Sequence, residues 1–258
     1  MRDSLTLPDP HSDRDGETDQ LRPFIRDTAG TRHLHFDLRS VQSSMQLEEP
    51  DALVTPYTQK MMAFLLFNRT PRHILLIGLG GGSLVKFCHR HLPKTRLTVV
   101  EINPRIIELR QRFHIPPDDE RLQVILGDGA DFVRRGTWTA DVLLIDAFDR
   151  GGVAPSLASE EFYAQAFCCL GPNGVLVMNL AGERSRYVEH LNKLRKACPG
   201  PVLLVPVEGD GNVLIFAFKQ PVRMWTLESV ESTADQLQLE LALEFQRFLQ
   251  RLRGGHLL

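Results

Sequence analysis

Three apolar runs in this 258-residue chain end on carboxylates. The first is LTVV followed by Glu101, the second VIL-Gly followed by Asp128, and the third DVLLI followed by Asp146 and, three residues on, Asp149. A charged carboxylate directly after buried strand residues is costly unless it faces a cleft or is paired. Asp146 and Asp149 at this spacing can meet in one cleft. There they suit a cationic substrate, and one can accept a proton from an amine nucleophile; as surface-loop acids they do neither. Glu101 can accept two hydrogen bonds from a ribose diol, or act as a helix-start acid before Asn103-Pro104. Asp128, with Gly129, can take the exocyclic amine of an adenine, or cap the helix that begins at Ala130. For Asp128 the two roles are compatible.

A fourth apolar run, residues 74–77, ends on Gly78-Leu79-Gly80-Gly81-Gly82, with a helical segment opening at Ser83. A buried strand, a glycine turn and a helix N-terminus together let backbone approach a ligand closely, because glycine has no Cβ. Ligands of such sheets bind outside the carboxyl ends of the strands. Glu101, Asp128 and Asp146 all fall at such ends.

The elements that position these groups alternate. Strands are expected at 97–102, 122–126, 141–147 and 175–180, each following a helix or turn. Asn103-Pro104 places an N-cap and a first-turn proline. Ser159 caps a helix to 170, residues 171–174 form a turn, and 183–197 form another helix. Runs at 202–207 and 213–218 are separated by five residues. That is too short for a crossover helix, so they pair as an antiparallel hairpin. A parallel β/α sheet closed by such a hairpin points, partly by fold analogy, to the α/β class I S-adenosylmethionine methyltransferase-type Rossmann-like fold, seven strands in all. It is expected over residues 70–221. Residues 1–20 read as a disordered acidic arm. Residues 21–69 read as a small antiparallel β unit (weak alternation over 31–38 and 41–45) followed by a helix over 57–67. Residues 222–258 carry one amphipathic helix over 227–252, apolar enough to pack on the domain or on a second subunit.

Composition narrows the function. A net charge of −2, with 43% hydrophobic and 24% charged residues, is that of a globular protein and gives no reason to expect nucleic acid. No run is long enough to span a membrane, and the acidic N-terminus is no secretory signal. The four cysteines make no C-x-x-C pair, so they read as reduced thiols of a cytoplasmic protein, and no metal site is expected. His33, His35, His89 and His91 read as surface or packing residues.

The series ILLIGLGGGS, VVEINP, GDGADF, DVLLIDAFDRGG and SEEFYAQAFCCLGPNGVLV resembles spermidine synthases, the polyamine aminopropyltransferases, over about residues 41–219. The resemblance implies a transferase. Gln42, Gly78, Gly80, Glu101, Ile102, Asp128 and Gly129 would hold an S-adenosyl nucleoside, with Gln42 near its sulfonium tail. Asp146 would be the general base. Asp149 and Tyr57, the latter on a gate helix reading Tyr57-Thr58-Gln59-Lys60-Met61, would bind the amine. The cosubstrate would be decarboxylated S-adenosylmethionine or S-adenosylmethionine, and the acceptor a small amine. A homodimer is expected, as in many members. Three positions depart from the family pattern. Gly81 stands where the family's glycine motif has an Asp, Gln59 or Lys60 stands in place of the gate-helix acid, and Arg150 follows Asp149 where the family has proline. These departures mark a divergent member and leave three readings: aminopropyl transfer first, methyl transfer to an unknown acceptor second, and a non-catalytic nucleoside-binding protein third.

Overall fold

The computed structural model describes residues 22–38, 41–149, 152–181, 184–209, 211–220 and 227–253. The acidic arm, Arg150, the 222 boundary and the side chain of Asp149 lie outside the described residues.

A three-stranded antiparallel sheet comes first: β1 (Phe24–Thr28), β2 (Thr31–His35) and β3 (Val41–Gln46). Ala29 and Gly30, both at positive φ, make the two-residue turn between β1 and β2, the turn geometry that matches strand twist in a hairpin. This unit has three strands rather than two, because β1 pairs with β2 although its residues are largely exposed. The α1 helix (Pro56–Met61) then passes into a 3₁₀ turn, Met62–Leu66. The expected single helix over 57–67 tightens there, as all five residues of the turn bury.

The main sheet contains β4 (His73–Ile77), β5 (Arg96–Glu101), β6 (Leu122–Leu126), β7 (Ala140–Ile145), β10 (Leu170–Leu180), β11 (Val202–Pro206) and β12 (Val213–Phe218). Its order is β11-β12-β10-β7-β4-β5-β6. Every pair from β6 to β10 is parallel, and β12 runs antiparallel to both of its neighbours. The helices between strands are α2 (Ser83–His91), α3 (Pro104–Glu108), α4 (Gly129–Arg134), α5 (Glu160–Cys169) and α6 (Arg184–Ala197). A two-residue pairing, β8 (Phe148–Asp149) with β9 (Gly152–Val153), follows β7. The chain steps from β4 outward to β5 and β6, then returns to place β7 on the other side of β4. The strand order therefore reverses between β4 and β7, where such folds open a crevice.

All five residues of β4 are buried, as both faces of a parallel sheet are covered. Alternation sorts them: Ile74 and Leu76 join one core with the 3₁₀ turn and α2, while Leu75 and Ile77 join the other with α4 and α5. The caps predicted from sequence form. Asn103 accepts from Arg105 N, and Ser159 from Phe162 N. The 171–174 turn is absorbed into β10 as an irregularity, with the register shifting between Leu170 and Val175.

The C-terminal segment corrects the single-helix expectation. It is two helices, α7 (Leu227–Leu241) and α8 (Phe245–Arg253), broken at Ala242 with φ 53°. The break turns Leu243, Phe245, Phe248 and Leu249 inward to bury beside the sheet, with Phe248 edge-on to Phe216 at 5.4 Å. Its apolar surface is thus covered within the chain and no longer argues for a dimer.

Candidate active site

The carboxyl ends of β4, β5, β6, β7 and β10 open into a cavity of about 480 Å³. Gly78 leaves β4 at φ 97°, a region that side chains resist. A Cβ there would run into the backbone carbonyl of Asp146, so glycine allows the two strand ends to touch. Asp146 N donates to Ile77 O at 2.9 Å, and this bond fixes the start of the loop after β7.

Asp146 sits where these elements meet. Its Oδ2 accepts from Tyr57 Oη at 3.1 Å, which ties it to α1, and its Oδ1 accepts from Asn179 Nδ2 at 3.0 Å on β10. Asn179 Oδ1 accepts in turn from Asn212 Nδ2 at 3.1 Å. Burial pushes the Asp146 carboxyl above its ordinary value, and the Asn179 and Tyr57 hydrogen bonds pull it back in part. A carboxylate with its proton affinity raised in this way, and held from two sides, is suited to take a proton from an amine.

Glu101 ends β5 with both oxygens engaged. Oε2 accepts from Leu79 N and Oε1 from Asn103 N, both at 2.8 Å. It therefore braces the glycine loop as well as facing the cavity. Burial raises its carboxyl, against backbone N–H bonds that lower it. Asp128 caps α4, accepting from Ala130 N at 2.7 Å and Asp131 N at 3.2 Å, and lines the cavity too. Both readings of Asp128 are thus open at once.

Gln42, Tyr57, Gly78, Gly80, Glu101, Ile102, Asp128, Gly129 and Asp146 all line this one cavity. Of the two gate-helix candidates, Gln59 donates to Leu53 O at 2.7 Å, and both Gln59 and Lys60 line a separate, smaller hollow against α8. Tyr57 and Thr58 are the α1 residues that face the main cavity. Among its described lining residues the charged side chains are Glu101, Asp128 and Asp146, all acidic. Such a cleft concentrates cationic ligands.

Gly81 lies against β3. A Cβ built there would stand 2.6 Å from Ser43 Oγ and 3.1 Å from the Phe113 ring. A side chain at this position would require Ser43 and Phe113 to shift. Phe113 is itself anchored, because the buried Lys86 donates from Nζ to its carbonyl at 2.9 Å. Sequence reasoning missed Ser43, Lys86, Asn179 and Asn212. Asn179 carried a usable signal, as the one polar residue inside the VLVMNL strand; the others carried none.

The sheet has the order and closing hairpin of the methyltransferase-type fold, with an acid-lined cleft at its switch point. The sequence model of the spermine/spermidine synthase domain matches residues 54–200. The polyamine aminopropyltransferase of Chromobacterium violaceum is 36% identical over 241 residues, covering 91% of this chain and 92% of its own. Human methyltransferase-like protein 13, solved in complex with SAH, superposes with a TM-score of 0.67 at 26% identity, over 73% of this chain and 93% of that one. A probable spermidine synthase from Corynebacterium glutamicum superposes at 0.66 with 15% identity, over 91% of both chains. The chain belongs to the spermine/spermidine synthase family and is a transferase.

Proposed function

We propose that the protein transfers an aminopropyl group from decarboxylated S-adenosylmethionine to a small amine, with Asp146 as general base. The observation that carries this reading is the Tyr57–Asp146–Asn179 arrangement, in the same cavity as the glycine loop, Glu101 and Asp128. The nucleoside would lie over Gly78 and Gly80, its ribose toward Glu101 and Ile102, its adenine toward Asp128 and Gly129, and its sulfonium tail toward Gln42. The amine would enter between Tyr57 and Asp146, with Asp149 near it. Its nitrogen lone pair attacks the carbon beside the sulfonium. The C–S bond breaks, sulfur keeps the electron pair, and a neutral thioether leaves. The proton released from the nitrogen goes to Asp146. Because the leaving group is good, alignment and a deprotonated nucleophile supply most of the catalysis.

One observation favours a second reading, methyl transfer from S-adenosylmethionine. Position 81 is a glycine with Ser43 and Phe113 close against it, and it carries no acid. A carboxylate-bearing donor tail therefore meets no like charge there. Mass spectrometry of products from each donor with a panel of primary amines decides between them. An acceptor gaining a C3H7N unit supports the first reading, and a gain of CH2 the second. No product from either donor leaves a nucleoside-binding protein.

A further inference from the structure

The closing hairpin of the sheet delivers its turn to the end where the cavity opens. Because β12 runs antiparallel to β10, its first residues lie beside the carboxyl end of β10. Register then decides which side chain arrives. Asn179 pairs with Leu214, and Asn212 stands two residues before Leu214, so Asn179 and Asn212 share one face of the sheet as diagonal neighbours. Their amides meet there, with Asn212 Nδ2 donating to Asn179 Oδ1 at 3.1 Å. Asn179 is 2% exposed, so each end of its amide needs a partner inside the protein. Its other end donates to Asp146 Oδ1 at 3.0 Å. The turn that carries Asn212 is itself held. Val207 N donates to Asn212 O at 2.8 Å, and Tyr187 Oη to Gly211 O at 3.2 Å.

Resting on the reading of Asp146 as general base, we infer that Asn212 is a positioning residue that acts through Asn179: it holds the Asn179 carbonyl and so keeps the Asn179 NH2 turned to the Asp146 carboxylate. An ionised carboxylate only accepts, whereas an amide donates at one end and accepts at the other. The order Asn212 to Asn179 to Asp146 therefore suits the ionised base. The opposite order would aim the Asn179 carbonyl at Asp146, and only the protonated acid could answer it. A hydrogen bond received at the Asn179 oxygen also polarises that amide and strengthens its N–H toward Asp146. Asn212 does this without adding charge to the cavity. Of the titratable groups around Asp146, Tyr57 of α1 touches it directly, and Glu101 and Asp128 line the same cavity from the ends of β5 and β6. Glu208, on the same turn as Asn212, is instead paired with Arg247 of α8 at 2.6 Å. Substitutions at 179 and 212 leave all of these in place.

Carbon-13 NMR of the full chain, labelled at its aspartate carboxyl carbons, gives the pKa of Asp146 without turnover, its signal being the one lost in Asp146→Asn. Asn212→Ala should raise that pKa by about half a unit, through loss of one polarising hydrogen bond. Asn212→Asp, whose carboxylate cannot donate, should raise it by about one unit or more. Part of that second shift is repulsion between two acids, and an Asn179→Ala background separates it. There the Asn212→Ala shift should vanish and the Asn212→Asp shift should fall by about half. Shifts of equal size in both backgrounds overturn the inference. So does an Asn212→Ala variant with a lowered Tm and an unmoved Asp146 titration, the result for a merely structural asparagine. The acid limb of the kcat/KM–pH profile should move with the NMR pKa. NMR shifts as expected beside an unmoved acid limb support the inference and overturn Asp146 as the base.

Discussion

At the scale of residues, the site depends on how one carboxylate is held. Asp146 is pushed up by burial and pulled back by Tyr57 and Asn179. In the proposed role of base it works only when ionised, so activity should fall as the pH drops through its raised pKa. Tyr57→Phe removes one of the two hydrogen bonds that favour the charged form. The pKa should rise further, and the acid limb of the kcat/KM–pH profile should shift to higher pH by roughly half a unit to one unit, with kcat at high pH less affected. A pH profile of wild type and variant checks this; a shift in the acid direction contradicts it. Asp146 was legible in the sequence because a lone acid after DVLLI is costly without a purpose. That its partners meet it was not: Tyr57 bonds it from 89 residues before and Asn179 from 33 after, and only the fold brings them together.

At the scale of elements, α2 carries a charge that helical periodicity hid. Lys86 is 1% exposed, and burial lowers its pKa to about 8 from an ordinary 10.5. The folded state therefore gives up this proton more readily than the unfolded chain. Between about pH 8 and 10.5 the unfolded state binds more protons, so the contribution of Lys86 to stability rises with pH across that window. Lys86→Met should remove this rise, so that the wild-type Tm climbs relative to the variant's from pH 8 to pH 10. Thermal melts across that range measure it, and a pH-independent difference would contradict the assignment. Most elements were legible, since the parallel strands announced themselves by length and apolarity and the caps by Asn103, Asp128 and Ser159. The α7–α8 break was not legible. Neither glycine nor proline marks Ala242, and the positive φ is imposed by the burial of Leu243 and Phe245 beyond it.

At the scale of the whole molecule, two cores lie on opposite faces of one sheet, and the C-terminal helices complete one of them. Phe248→Ala, in contact with Phe216, should destabilise by about 3–5 kcal/mol. Leu239, 88% exposed on α7, should tolerate Leu239→Ala within about 0.5 kcal/mol. Denaturant midpoints compare the two; equal effects would mean α8 does not belong to the core. Among the described residues no helix is long and apolar enough to cross a membrane. The small N-terminal sheet, only weakly patterned in sequence, earns its place here by pressing Ser43 onto Gly81. That contact between β3 and the loop after β4 crowds position 81, and no local sequence pattern could have announced it.

The central claim is that Asp146 acts on the nucleophile and not on the nucleoside. Asp146→Asn is nearly isosteric and keeps a hydrogen-bonding group between Tyr57 and Asn179. Turnover by this variant should fall by about 10²–10⁴-fold, while the calorimetric Kd for the donor nucleoside stays within about threefold of wild type. Turnover near the wild-type rate, or donor affinity lost in step with turnover, would contradict the assignment of Asp146 as the base.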